Sequence, residues 1–499
     1  MRKIEINTKN LMGKLNKFFL GSVGAGRAGE IMRHVPSKQL DMLLRDAPFK
    51  YIRFHGLFHE EMGVVTRGEN GKLEFFFGYV DMLFDMLLEK NIRPIVELGL
   101  MPECMAKDKE YVFWWKMNKS MPSNIGEWRE LISALVRHIT DRYGVDEVKK
   151  WYFEVWNEPN HRGFFTEYEN IDAYFELYDT AALAIKEICN DYRVGGPATA
   201  GMVWINEFIA HCAENNIPAD FVSSHSYGIK GDFDPEGKAI VYLPSVEKVS
   251  NEIRVYGDIC HKNGLEFLVT EWSSSFSPTD FIHDSYFNAS YIIHNIKRSE
   301  GYADMMSYWT YTDIFEENGI PTRPFHGGFG LININTIPKS SYYAYKFLAD
   351  LYDNEIFCDD ECCYATSSNG NVRLLLWNIK KPDGDRTDNR AYFGSNPAQK
   401  RIDDATLKIS GLEDTCKYTV AVKSIGRGKC DAYTEYLCRG AKDNLSREET
   451  VEIIEASKPV EKIFSAMSDE NGTLVLSLEQ WENGADFVQI SKTEKPLQN

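Results

Sequence analysis

No stretch of this 499-residue sequence approaches the ~20 consecutive apolar residues of a membrane span. The opening segment MRKIEINTKNLMGKLNKFFLG carries positive charge but neither an apolar core nor a small-residue cleavage site, so no signal peptide is expected and the cytoplasm is the expected compartment. A basic excess is also missing. Lys and Arg number 56 against 74 Asp and Glu, and the net charge of −18 argues against a nucleic-acid or anionic-membrane partner and suits a neutral substrate. Ten cysteines form no Cys-x-x-Cys and no zinc-type spacing with histidine, so reduced and mostly buried thiols are expected. His-Glu-x-x-His, an Asp-rich calcium loop and a dense histidine cluster are all missing, and neither a metal nor a cofactor is expected. The closely spaced glycines of GSVGAGRAGE (21–30) lack the acidic partner of a dinucleotide fold, so they indicate no nucleotide site. On the expectation of a cytoplasmic chain, the N-x-S/T sites at Asn118 and Asn288 are chance matches.

What is present is enough apolar residue for a large core, 43%, and 13% aromatics, whose flat faces suit both packing and sugar stacking. Short apolar strands alternate with amphipathic helices from about residue 18 to 345. Candidate strands are FKYIRFH (49–55), IRPIVELG (92–99), KWYFEVWN (150–157), YRVGGPA (192–198), DFVSSHSY (220–227), LEFLVTEW (265–272) and ADMMSYWTY (303–311), with an eighth near FFLGSV (18–23). Apolar residues spaced three and four apart predict helices over 78–91, 125–144 and 170–189. Eight such alternations predict an α/β fold, a (β/α)₈ TIM barrel over residues 12–345. Beyond it, alternating strands separated by Gly, Asn and Asp turns predict an all-β sandwich over 346–499, joined by a strand from residues 1–11. No internal repeat or low-complexity linker separates the two parts.

Barrel enzymes carry their chemistry at the carboxyl ends of the strands. Two candidate strands end in carboxylates directly after apolar runs, the fourth at Asn157-Glu158-Pro159 and the seventh at Glu271. Breaking a glycosidic bond needs one carboxylic acid to protonate the leaving oxygen and one carboxylate to attack or stabilise the anomeric carbon. Strands four and seven are far enough apart around the ring to flank a sugar. A separation of ~5–5.5 Å between the carboxyls would give retention through a covalent intermediate. His55 and His225 also close strands, which makes them candidate sugar contacts; His59 has no such support and is read as surface.

FEVWNEPN, YIRFHGLF, VFWWK, SSHSYG, VTEWSSS and FHGGFGLI follow one another in an order that resembles glycoside hydrolase family 39, and its bacterial β-xylosidases in particular. The resemblance runs from residue 21 into the terminal β region. It implies Glu158 as acid/base and Glu271 as nucleophile. Charge on Glu271 should then raise the pKa of Glu158 until the covalent ester forms. The resemblance also implies Asn157 on the sugar 2-OH, Tyr227 on the nucleophile and Trp309 under the sugar. It places either Glu316 or Glu317 on sugar hydroxyls, with Phe325 and His326 closing the same loop. Of Trp114 and Trp115 one should face the pocket, with Trp115 the choice.

The activity this implies is exo-acting hydrolysis of terminal β-D-xylose from short β-1,4-xylo-oligosaccharides by double displacement, without cofactor. Two alternatives stand beside it. One is another sugar within the family: β-glucoside, β-galactoside or α-L-iduronide, for which Arg323 could hold the uronate. The other is a non-catalytic carbohydrate-binding protein, which the presence of both glutamates opposes. Homo-oligomers are a property of the family that this chain is free to share.

Overall fold

The computed structural model describes residues 2–234 and 236–493. Eight parallel strands close into a barrel: β1 (Ser22–Arg27), β2 (Tyr51–His55), β3 (Arg93–Leu98), β4 (Tyr152–Val155), β5 (Arg193–Ala200), β6 (Phe221–Tyr227), β7 (Glu266–Ser273) and β8 (Met305–Tyr308). Each is followed by a helix: His34–Asp46, Gly78–Glu89, Ile125–Tyr143, Ile171–Ile188, Ile205–Asn215, Lys248–Lys262, Phe287–Ser299 and Ser340–Ala349. Asn124 and Asn170 begin two of these helices by accepting backbone N–H bonds from Gly126 and Asp172. The molecule is a (β/α)₈ barrel with a sheet-rich carboxyl-terminal region. The expected strand at 18–23 starts later. Phe18–Leu20 form a buried 3₁₀ turn, and the strand runs instead through the glycine-rich SVGAGR.

Side chains alternate between the two faces of a strand, so each strand contributes a short column to the barrel interior. Ile95, Tyr152, Phe221, Leu268 and Met305, with Tyr51 against them, form an apolar plug. Two residues further on, the same face carries Arg53, Glu97 and Glu154, and these charges meet one another. Strict alternation from Leu268 would turn Glu271 outward. The pairing of β7 with both neighbours shifts register just before Glu271 or across it, between Ser224 and His225 on β6 and between Val269 and Trp272 on β7. That irregularity brings Glu271 to the interior and leaves Trp272 packed edge-on against Tyr308.

Apart from three two-stranded sheets in the barrel loops, the remaining strands form two sheets around a second apolar core that includes Ile6, Leu374, Leu407, Val420, Leu476 and Val488. Arg2–Asn7 pairs in parallel with Arg401–Ser410 in a three-stranded sheet completed by Leu474–Trp481. The seven-stranded sheet takes Leu11–Lys14 as an edge, paired with Asn354–Ile356, so this sheet reaches across residue 12. The region is not all β. Helices Ala432–Cys438 and Arg447–Ala456 lie between the strands Lys417–Ile425 and Glu461–Met467. The second of these has a sequence signal, the capping box in which Ser446 and Glu449 each accept from the other's backbone N–H. All ten cysteines are free thiols, and only Cys212, Cys260, Cys363 and Cys430 are fully buried.

Candidate active site

The carboxyl ends of the barrel strands surround a cavity of about 620 Å³ lined by His55, Glu158, Tyr227, Glu271, Trp309 and Glu317, among others. Its floor is a network of charge. Arg53, fully buried on β2, donates from Nη1 to Glu271 Oε1 at 2.6 Å and from Nη2 to Asn157 Oδ1 at 2.8 Å. The same guanidinium pairs with Glu97 at 2.9 Å and donates from Nε to Glu154. Tyr227 donates its hydroxyl to the other oxygen of Glu271 at 2.6 Å. Both oxygens of Glu271 are thus held, which fixes the carboxylate in one orientation.

Glu158 sits on the turn after β4 with φ of 45°, and Trp156 before it has φ of 71°. Two bulky residues in the left-handed region mark a strained turn, a common feature of functional sites. His225 Nδ1 lies 2.9 Å from Glu158 Oε1. Glu158, His225 and Glu271 each present an atom within 4.8 Å of the others.

Burial pushes the Glu158 carboxyl well above the usual range, and the adjacent Glu271 charge pushes it further. Burial raises Glu271 too, but Arg53, His55 and the Tyr227 hydroxyl oppose it. Both carboxyls are raised, Glu158 more strongly, and the groups that favour a carboxylate gather on Glu271, so Glu158 is the one that holds the shared proton. Burial works against the His55 imidazolium, yet Glu97 and Glu317 beside it outweigh burial and push its pKa up to about 10. His225 goes the other way. Burial, helped by the charges of Arg53 and His55, holds it well below its ordinary value and therefore neutral.

Among the described residues, Glu158, His225 and Glu271 are the His, Cys, Asp and Glu side chains close enough to share a metal ion. Their atoms already satisfy one another, Arg53 and Tyr227, and a cation there would have to displace the Arg53 guanidinium from Glu271.

The family model for glycosyl hydrolases family 39 matches residues 2–474. A β-xylosidase of Caldicellulosiruptor saccharolyticus is 36% identical over 471 residues, 91% of each chain. A β-xylosidase of Geobacillus stearothermophilus is 36% identical over 74% of this chain and 76% of its own. The crystal structure of a monomeric β-xylosidase from Caulobacter crescentus CB15 superposes with a TM-score of 0.93, at 36% identity, over 99% of this chain and 100% of that one. The chain belongs to glycosyl hydrolase family 39.

In this family 39 enzyme, the residues expected from sequence fall into two groups. Glu158, Glu271, His55, Tyr227, Trp309 and Glu317 line the cavity. Asn157 and His225 sit behind it, on Arg53 and Glu158, and His225 touches the carboxyl rather than the open space where a sugar would lie. Glu316 points away. It pairs with Arg27 at 3.0 Å and with Arg33, whose charges outweigh burial and hold its pKa low. The chain turns at Glu317, and only Glu317 reaches His55, at 3.4 Å.

Neither tryptophan of VFWWK lines the cavity. Trp114 is exposed, and its backbone N–H donates to the Glu317 carbonyl at 2.6 Å. Trp115 stacks on Phe113, and Phe113 stacks on His55, so the phenylalanine of the run is the ring in contact with a cavity residue. His59 is half-buried against Trp115 rather than on the surface. Phe325 packs against Tyr433 and Tyr436, and His326 bonds its own loop; Phe329 is the residue of that loop in the cavity wall.

Two positioning features have their signal in the glycines. A Cβ on Gly24 would lie 2.3 Å from the Trp309 ring, so the β1 glycine lets Trp309 lie against the barrel. A Cβ on Gly327, whose φ is 81°, would lie 2.6 Å from the Asp280 backbone. Close by, Lys339 is completely buried and pairs with Asp284 at 2.6 Å and Asp313 at 2.7 Å, while its ammonium donates to the Gly328 carbonyl. This knot pins both ends of the loop that presents Glu317 and Phe329.

Arg53, Glu97 and Glu154 were not anticipated. Their signal is a charge in the middle of an apolar parallel strand, in YIRFH, PIVEL and YFEV, where a lone charge is costly unless it has a partner.

Proposed function

We propose that this family 39 enzyme is a retaining, exo-acting β-xylosidase that removes terminal β-D-xylose from short β-1,4-xylo-oligosaccharides. The observation that carries the reading is the carboxyl pair: Glu158 and Glu271 have oxygens within 4.8 Å of each other, and Glu271 is held by Arg53 and Tyr227. This is the close spacing that direct attack requires, with no room for a water between.

Glu271 attacks the anomeric carbon and forms an ester bond as the bond to the leaving oxygen breaks, and Glu158 gives that oxygen its proton. The charge on Glu271 is then consumed, so the pKa of Glu158 falls. As a carboxylate, Glu158 takes a proton from water while the water oxygen bonds the anomeric carbon. The ester breaks and Glu271 regains its charge. His55 and Glu317 orient the sugar hydroxyls and Trp309 supports the ring, with Asn157 steadying Arg53 behind them. The cavity volume of about 620 Å³ suits the end of an oligomer rather than a polymer. Ten free thiols support a reducing, cytoplasmic setting. Among the described residues, no helix is long and apolar enough to cross a membrane.

One observation favours another sugar: Lys230 and Lys248 line the cavity and could meet a uronate. Lys248 is already committed to the Tyr227 carbonyl and Glu252, and Arg323 pairs with Asp443 and does not line the cavity. Turnover of aryl β-D-xyloside, β-D-glucoside and α-L-iduronide decides between them. The xyloside should be hydrolysed fastest; equal or faster turnover of either other glycoside overturns the xylose assignment.

A further inference from the structure

We propose that the carboxyl-terminal β region carries a second carbohydrate site, at the open side of its two sheets, which binds a short β-1,4-linked xylo-oligosaccharide. Glu461–Met467 and Leu474–Trp481 are consecutive in the chain, yet each is an edge strand and they belong to different sheets. The chain leaves one sheet and enters the other at this point, so the two sheets are not closed against each other here. A cavity of about 560 Å³ lies between them, lined by Trp481, Phe464, Lys429, Lys462, Glu479 and Asp486, with Val460 at 81% exposure on its border. In volume it is close to the cavity in the barrel.

The lining points to a neutral, hydroxyl-rich ligand. Trp481 and Phe464 are aromatic side chains left half-buried at a cavity wall, where core packing would have covered them. The indole N–H of Trp481 is buried and has no acceptor within the protein. The Lys429 ammonium lies 5.9 Å from the Trp481 ring centroid. Asp486 is oriented from both sides, by Ser424 Oγ and by Gln480 Nε2 at 2.7 Å. Lys429, Lys458 and Lys462 are interspersed with Asp404, Glu461, Glu479 and Asp486, so the cavity has no field of one sign to select a phosphate or a polyanion. Carboxylates that accept from hydroxyls, ammonium groups that donate to them, and an aromatic face for the C–H side of a pyranose are together the means of holding a sugar. That the sugar is xylose rests on the function proposed above; that it is a neutral carbohydrate does not.

The test uses the full-length protein carrying Glu271→Gln, so that ligand is not consumed, titrated calorimetrically with xylotetraose. Two sites per chain are expected. Adding Lys429→Ala with Glu479→Ala, two changes that leave the apolar core intact, should weaken one site by about tenfold or more and leave the other unchanged; Trp481→Ala should abolish it. With Glu271 restored, the same variants should turn over aryl β-D-xyloside at the wild-type rate. A single site per chain, or two sites indifferent to these substitutions, overturns the proposal, as does occupation of the cavity by a second copy of the chain in sedimentation. Binding here without xyloside turnover would sink the proposed activity and leave this site standing.

Discussion

Arg53 Nη1 lies 2.6 Å from Glu271 Oε1, and the guanidinium that makes this contact is fully buried among three carboxylates. Its charge favours the ionised form of Glu271. Removing it raises the pKa of Glu271, so the acidic limb of the pH–rate profile should move to higher pH. Arg53→Met should also lower kcat by about 10²-fold or more and destabilise the fold by about 3–5 kcal/mol, since Glu97 and Glu154 lose their shared partner. Arg53→Lys keeps the charge but not the fork and should shift the limb less. An acidic limb that stays in place would mean the pair is not coupled.

The roles of the two glutamates separate by azide rescue. Glu271→Gly should be nearly inactive, and azide should restore cleavage with an inverted glycosyl azide. Glu158→Ala should lose most activity on poor leaving groups, less on activated aryl glycosides, and azide should give the retained adduct. Proton NMR of the products reads the anomeric configuration, and the reverse pattern would exchange the two roles.

Glu316 and Glu317 are adjacent in sequence and should behave differently. Glu317→Gln removes the cavity-side partner of His55 and should cost kcat/KM about 10- to 100-fold with little change in melting temperature. Glu316→Gln weakens the hold on buried Arg27 and should lower the melting temperature, with a destabilisation of about 1–3 kcal/mol. Steady-state kinetics and thermal melts on the same pair of variants test this.

Gly24→Ala places a methyl 2.3 Å from the Trp309 ring. The ring must move, and overpacking of this kind costs about 1–3 kcal/mol. KM should rise because Trp309 leaves the cavity wall, and a shifted near-ultraviolet circular dichroism signal should accompany it. Unchanged kinetics would remove Trp309 from the site.

The barrel was legible because its signals are local. Each apolar strand of four to eight residues and each three-and-four helix pattern is complete within one segment, and the helices at Gly78–Glu89, Ile125–Tyr143 and Ile171–Ile188 lie within a residue or two of the predicted spans. The helices Asn389–Gly394, Ala432–Cys438 and Arg447–Ala456 of the β region were missed because they interrupt a run of strands, though Ser446 and Glu449 marked the last of them. Phe113 was passed over for Trp115 because aromatic spacing on an irregular loop says nothing about direction.

The sequence alone determined that strands alternate with helices and that glutamates follow the fourth and seventh strands. Only the tertiary structure decided which way those side chains point and what they meet. Glu271 faces the cavity because the register of β7 slips against its neighbours, a property of paired strands rather than of either one. Its partner Arg53 lies 218 positions earlier in the chain. Burial and the neighbouring Glu271 charge favour a proton on Glu158, while Arg53, His55 and the Tyr227 hydroxyl counter the same burial at Glu271, and these groups come from segments far apart in the chain.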